Sequence, residues 1–156
     1  MHDLATTVAL DLCAYYAMVK EQTHRWVDPL SEEQLWRRPF NHGNSIGHLL
    51  LHMTGNLNYY IGARIAGTGY LRDREREFSE RERKTKGEML AAFDEAIVLV
   101  TATIRRQKAE DWLLPYSAER EPDAKERLNI FLRCAGHAYH HVGQIIYLAR
   151  EVMKVA

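Results

Sequence analysis

The sequence is short of cysteine and has no surplus of charge of either sign, and both shortages narrow the range of functions. Lysine and arginine together number 21, and aspartate and glutamate also number 21. Without a basic excess, a nucleic acid is a poor candidate for a partner. The two cysteines, Cys13 and Cys134, lie far apart and form no CxxC motif, which argues against a structural zinc knuckle. We expect both to be reduced thiols in a cytoplasmic protein.

A long hydrophobic run is missing as well. No apolar stretch approaches the roughly 18 residues that a membrane-spanning helix needs. The start of the chain, Met1-His2-Asp3, lacks the basic residues and the apolar block of a signal peptide. These features predict a protein without a membrane partner and agree with a cytoplasmic location.

Helical periodicity is what the sequence does contain. Apolar residues make up 46% of the 156 residues, which is enough for one core, so we expect a single domain over residues 1–156. Four long segments repeat apolar residues at intervals of three and four, and none alternates with period two. A capping box predicts a short extra helix near residues 31–38. The sequence therefore predicts an all-α four-helix bundle. Its long helices are expected from about 3 to 26, from 44 to 66, from 85 onward, and from 124 to 152.

The segment between the second and third helices, Gly67 to Lys84, is too long for a tight turn. From Arg72 onward its charges alternate in sign, which is typical of a solvated surface. We predict that this segment crosses the bundle as an exposed connection.

The fourth helix carries two histidines on one inward line. At 100° per residue, His137 and His141 align with Ile130 and Ile145, whereas His140 falls on a polar arc. Two buried imidazoles four residues apart are either core residues that hydrogen-bond their neighbours or two ligands of one metal ion. His140 is expected to be exposed and not to bind the ion.

The second helix carries a line of polar residues beside an apolar face. His48, His52 and Tyr59 share this line, and Asn56 lies at its edge. His48 is only three residues past Ser45 and can simply cap the helix start, whereas His52 lies two turns in. An imidazole from His52 would complete three protein ligands and leave room for water or substrate, as in catalytic metal sites.

Two blocks of the sequence resemble the DinB/YfiT-like superfamily of metalloenzymes. Residues 44–52, Asn-Ser-Ile-Gly-His-Leu-Leu-Leu-His, are similar to that superfamily's second helix, and residues 137–145, His-Ala-Tyr-His-His-Val-Gly-Gln-Ile, are similar to its fourth. The resemblance implies that His52, His137 and His141 bind a divalent metal ion, usually nickel or zinc. It also implies an up-down-down-up bundle, a long connection between helices two and three, and often a homodimer.

For activity, the resemblance implies a thiol-dependent transferase or isomerase that acts on a small molecule and uses a low-molecular-weight thiol such as bacillithiol or mycothiol. The residues themselves leave hydrolysis open, because a three-histidine metal site can activate water as well as a thiol. His48 and Tyr59 are candidate catalytic residues that hydrogen-bond a ligand or transfer a proton, and Asn56 is a candidate to orient an imidazole. The alternatives are a metal-binding or structural dimer without catalysis, and a metal-free bundle.

Overall fold

The computed structural model describes residues 3–154, and its regular structure is helical, as the sequence predicts. The α-helices in this range are α1 (Leu4–Val27), α2 (Glu32–Trp36), α3 (Ile46–Leu57), α4 (Arg74–Ser79), α5 (Lys86–Arg105) and α6 (Arg127–Lys154). A π-helix, Asn58–Ala63, prolongs α3, and a 3-10 helix, Ala109–Leu113, lies between α5 and α6. These residues form no β-strand, only an isolated bridge between Pro115 and Glu126.

Side-chain caps set the starts of the helices close to where the sequence predicts them. Asp3, Ser31, Ser45 and Thr85 precede α1, α2, α3 and α5, and each side chain accepts a hydrogen bond from the backbone N–H three residues on. Ser31 and Thr85 also complete the reciprocal bond of a capping box. The cap at Ser45 places His52 two turns into α3.

Each of the four long helices packs mainly against two others. Helix α1 contacts α5 and α6, and α3 contacts the same two helices. Large side chains fill the space where they meet: Tyr16, Phe93 and Phe131 are fully buried. The Tyr16 hydroxyl donates a hydrogen bond of 2.9 Å to the backbone carbonyl of Phe131, which satisfies the buried polar group.

The connection between α3 and α5 is exposed along most of its length, as the sequence predicts, but it is not a plain loop. It forms α4, which Asp73 caps and which packs against α3. The side chains of Arg72 and Glu77 are each only 7% exposed, and they form an ion pair with each other. Opposite charges within the segment thus offset the cost of their own burial, which an alternating pattern in sequence does not reveal.

No helix within residues 3–154 is both long and apolar enough to cross a membrane. The prediction of one domain over residues 1–156 remains a prediction, and its ends, residues 1–2 and 155–156, lie outside the described range. The cytoplasmic location also remains a prediction.

Candidate metal centre

Three histidines from α3 and α6 meet in the interior. The Nε2 atom of His137 lies 3.0 Å from Nε2 of His52 and 3.0 Å from Nε2 of His141. His52 is buried, whereas His137 and His141 are half-buried. The predicted convergence of these three side chains is confirmed. His140 is exposed and lies outside the group, as expected.

The helices position these rings through their regular spacing. His137 and His141 are one turn apart on α6 and therefore project from the same side of the helix. Cys134, Ala138 and Ile145 on α6 are buried around them, so this side of the helix faces the interior. His52 approaches from α3, and its ring centroid is 4.9 Å from that of each of the other two imidazoles.

Glu77 contacts Nδ1 of His52, the ring nitrogen that points away from the other two histidines. Nδ1 of His52 lies 2.8 Å from Oε2 of Glu77, and the imidazole and carboxylate are both buried. Arg72 donates to both oxygens of this carboxylate, at 2.7 and 2.9 Å. Its guanidinium also lies 3.3 Å from Nδ1, but the carboxylate contact is shorter and involves an anionic acceptor. We therefore assign the His52 proton to Nδ1, which leaves the lone pair on Nε2.

The other two imidazoles differ in their outer contacts. Nδ1 of His141 lies 2.7 Å from Oε1 of Gln144, and we assign it as the donor to this amide oxygen. Nδ1 of His137 is buried and has no hydrogen-bond partner among the described residues. His141 therefore also presents the Nε2 lone pair toward His137, while His137 has an unsatisfied outer nitrogen.

Burial keeps His137 and His141 neutral. It lowers the pKa of His137 to about 3, with further contributions from His141 and His52. It lowers the pKa of His141 to about 4, despite the opposing hydrogen bond with Gln144. Burial alone would raise the pKa of Glu77, but hydrogen bonds from His52 and Arg72 outweigh it and lower this pKa. At neutral pH His137 and His141 are therefore neutral, and an ionised carboxylate lies behind His52.

This donor set fits a divalent metal ion. A neutral His137 can donate one Nε2 proton at most, so it cannot satisfy the lone pairs of both His52 and His141. A cation between the rings would accept all three lone pairs. The 3.0 Å separations suit nitrogens that each lie roughly 2.0–2.1 Å from one ion. Imidazole ligands are suited to zinc and nickel among other metals.

His48, a predicted catalytic residue, is buried near the start of α3. Its Nδ1 lies 2.6 Å from the Ser45 hydroxyl, and its Nε2 lies 3.3 Å from the backbone carbonyl of Glu80. Its ring packs edge-on against Trp36. Both ring nitrogens are thus engaged outside the three-histidine group, an arrangement that favours the capping interpretation. The catalytic role of His48 remains a prediction.

Tyr59 and Asn56, the other predicted catalytic residues, lie on either side of the point where α3 becomes a π-helix. The regular 100° spacing does not hold past Leu57, because a π-helix has wider turns. Tyr59 is half-buried and lines a cavity of about 480 Å³ together with Arg72. Asn56 is buried, and its Oδ1 atom has no hydrogen-bond partner among the described residues. The roles of both residues remain predictions.

Three residues of the site are absent from the sequence-based candidates: Arg72, Glu77 and Gln144. A signal existed for Gln144, which lies three residues after His141 on the same helix and is therefore its neighbour. Glu77 and Arg72 could not be singled out, because they belong to a run of alternating charges in which most members are exposed. Only the packing of α4 on α3 distinguishes them.

The comparisons with known proteins give a family but no activity. No curated protein matches the chain. A protein-family model described as "Protein of unknown function (DUF1572)" matches residues 5–155, and this range includes all three histidines. The family is grouped with the DinB/YfiT-like proteins, which agrees with the resemblance of the two histidine blocks. With nearly its whole length matched, the chain belongs to the DUF1572 family.

Proposed function

We propose that this protein is a metal-dependent enzyme in which His52, His137 and His141 hold a divalent ion, nickel or zinc. One observation carries the proposal. The Nε2 atoms of three imidazoles meet, while the Nδ1 contacts of His52 and His141 turn their protons away from the meeting point. Three protein ligands leave room for a further ligand, as in catalytic rather than structural sites.

The ion would supply Lewis acidity, which lowers the pKa of a bound water or thiol. The chain itself would orient the imidazoles and exclude competing protons. Glu77 and Gln144 accept the Nδ1 protons of His52 and His141. We assign a similar task to Asn56: its unpartnered Oδ1 is an acceptor on α3, and the unpartnered Nδ1 of His137 is a donor on the facing helix.

The reaction that we propose is transfer of a thiol to a small electrophile. The support is the resemblance of the histidine blocks to thiol-dependent transferases, together with imidazole ligands that stay neutral in a buried site. Tyr59 lines a cavity that shares Arg72 with the surroundings of His52, so its hydroxyl is available to a ligand in that cavity. Hydrolysis by activated water is the alternative that the same residues permit.

We further propose that the four long helices form an up-down-down-up bundle. Along α1 and α5 the contacts run in opposite order, because Cys13 meets Thr101 and Lys20 meets Asp94. This order is expected for antiparallel neighbours. The bundle therefore has support from the contacts of α1 as well as from the resemblance.

The contacts with α6 also agree with this bundle. Tyr16 and Trp26 of α1 meet Phe131 and Arg150 in the same order along both helices, as parallel neighbours would. On α3, His52 meets α6 itself, while Tyr60, farther along, donates a hydrogen bond to the carbonyl of residue 119, which precedes α6. This order suits antiparallel helices.

A homodimer through α6 is also proposed. Leu132, Tyr139 and Tyr147 are 54%, 49% and 71% exposed, which is unusual for large apolar side chains on one helix. Gly136 and Gly143 lie between them, with open space where a side chain would be. Light scattering after size-exclusion chromatography tests the proposal. Wild type is expected at twice the monomer mass, and Tyr139→Lys is expected at the monomer mass.

Elemental analysis of protein purified without an affinity tag tests the metal centre. We expect about one divalent ion per chain in the wild type and little in His137→Ala. His140→Ala is the matched control, because this histidine is on the same helix but exposed. Equal metal content in all three proteins would refute the site.

A screen of small thiols with electrophiles, run beside ester and amide hydrolysis, tests the reaction. Thiol consumption that requires the metal and His52 supports the transferase. Metal-dependent hydrolysis without thiol consumption supports the hydrolase. Stoichiometric metal with neither activity would favour a metal-binding protein without catalysis.

A further inference from the structure

The carboxylate of Glu77 lies behind the candidate metal centre and has a task there that goes beyond the proposed function. We propose that Glu77 is a positioning residue that holds His52 in the tautomer with the Nε2 lone pair directed at His137, and that Gly55 is required to admit this carboxylate. The metal-affinity part rests on the proposed function. The tautomer part concerns the protein without metal and stands on its own.

The Glu77 carboxylate contacts His52 in addition to forming its ion pair with Arg72. Arg72 donates through Nε to Oε1 and through Nη2 to Oε2. This bidentate pairing would be sufficient if Glu77 only held the segment before α4 in place. Oε2 has a further contact at 2.8 Å, with Nδ1 of the His52 imidazole. Because Arg72 fixes the plane of the carboxylate, this oxygen is held where the imidazole N–H can reach it.

The surface of α3 around Gly55 leaves space for the Glu77 carboxylate. Gly55 lies three residues after His52, on a neighbouring position of the helix face. A Cβ atom at Gly55 would collide with Oε1 of Glu77, and that oxygen is locked by Arg72. Gly87, in the first turn of α5, has nothing within 4 Å of the corresponding position. The glycine at 55 is therefore needed for a close approach, whereas the one at 87 is not.

A neighbouring side chain restricts the same ring. The aromatic ring of Phe78 packs on the imidazole of His52, with centroids 4.7 Å apart. Glu77 and Phe78 are consecutive residues of α4, so docking of this one helix supplies both contacts. The hydrogen bond at one imidazole nitrogen decides which nitrogen is free to bind metal. The segment between α3 and α5 thus sets the tautomer and the tilt of a ligand that belongs to α3.

Two substitutions test whether Glu77 positions the His52 imidazole or only pairs with Arg72. In Glu77→Gln the amide oxygen is expected to face Arg72, which can only donate, so the amide N–H would face Nδ1 of His52 and favour the wrong tautomer. In Gly55→Ala both charges remain but the carboxylate is displaced. Gly87→Ala is the matched control, since it adds the same methyl group to a helix in open space. Circular dichroism establishes that each variant is folded, and Gly55→Ala serves if Glu77→Gln is not.

The first measurement is the tautomer of His52 in metal-free protein, read from long-range proton–nitrogen correlations of imidazoles labelled with nitrogen-15 near pH 8. We expect the proton on Nδ1 in the wild type and in Gly87→Ala, and a shift toward Nε2 in Glu77→Gln and Gly55→Ala. The second is the affinity for Ni²⁺ and Zn²⁺, measured in competition with a chelator. We expect a loss of about 10–100-fold in the two site variants and none in the control, as for other partners of metal-binding histidines.

The results distinguish this inference from the proposed function. A wild-type His52 that carries its proton on Nε2 overturns the inference, whatever the protein binds. An unchanged tautomer in both site variants overturns it as well, even if the metal centre is real. If the tautomer shifts as expected but the wild type binds neither ion, the positioning role of Glu77 stands and the metal-dependent function fails.

Discussion

His137 is the proposed ligand whose removal tests the candidate metal centre most directly, because its Nε2 lies 3.0 Å from the Nε2 atoms of both other histidines. We consider thermal melting at about pH 7.5, with chelator and with added Ni²⁺ or Zn²⁺. Burial holds the pKa of His137 at about 3 and that of His141 at about 4, so both are neutral at this pH and available to an ion. A metal that binds only the folded protein must raise its stability.

The magnitude follows from mass action. At a free ion concentration one hundred times Kd, the gain in the free energy of unfolding is about 2.7 kcal/mol. For a domain of this size, 1 kcal/mol shifts Tm by roughly 2–4 °C, so the metal should raise Tm by about 5–11 °C. The core is built from apolar side chains such as Tyr16 and Phe131, so the chelated protein should still melt cooperatively.

His137→Ala should lose nearly all of this metal-dependent rise. Its melting in chelator provides the baseline and separates the loss of metal from any loss of packing. His140→Ala should show the full rise, since His140 is exposed and outside the group. The reasoning would be refuted if His137→Ala kept the wild-type shift, or if the wild type, first shown to contain stoichiometric metal, melted at the same temperature in chelator.

Three further predictions concern the surroundings of the site and the fold. In metal-free protein the depressed pKa values of His137 and His141 mean that the unfolded chain, with a His pKa of about 6.5, binds more protons than the folded one. The free energy of unfolding should therefore be at its full value above about pH 6.5 and fall as the pH drops toward 4, with a smaller fall in His137→Gln. Urea titrations at several pH values in chelator check this, and a stability that does not change with pH contradicts it. Asn56→Leu should weaken Zn²⁺ binding by about tenfold if the amide supports His137, whereas an idle, unpaired Oδ1 predicts unchanged affinity in calorimetry. Thr85→Ala should cost about 1 kcal/mol in denaturant unfolding, because it removes the capping box of α5, and no change would contradict the observed cap.

The helices and the histidine cluster were within reach of sequence analysis because both depend on local spacing. The capping residues Ser31 and Thr85 mark helix starts in sequence and in structure alike. His137 and His141 are four residues apart, and the helix geometry alone places them on one side. His52 needed a second argument, the polar line on another helix, and the resemblance of its surrounding block supplied additional support.

The regular helical period was a poorer guide to the other residues that it grouped with His52. It grouped Tyr59 with His52, but the π-helix that begins at Asn58 changes the angle between successive residues. It also grouped His48 with His52, although His48 bonds instead to Ser45 and the carbonyl of Glu80. The 100° spacing describes one helix in isolation. It gives no information about which residues of other elements the side chains of that helix contact.

The sequence by itself determined the all-helical fold, the helix starts and three histidines at inward positions, because these follow from interactions within a few residues of the chain. Only the tertiary structure decided the role of the charged segment before α5. Among its alternating charges, Glu77 and Arg72 alone pair in the interior beside His52, and they can do so because Gly55 leaves space on another helix. That choice depends on residues more than 15 positions apart in the chain. Packing determines which of these charged side chains are buried and which partner each of them has. A local sequence pattern contains no information about that packing.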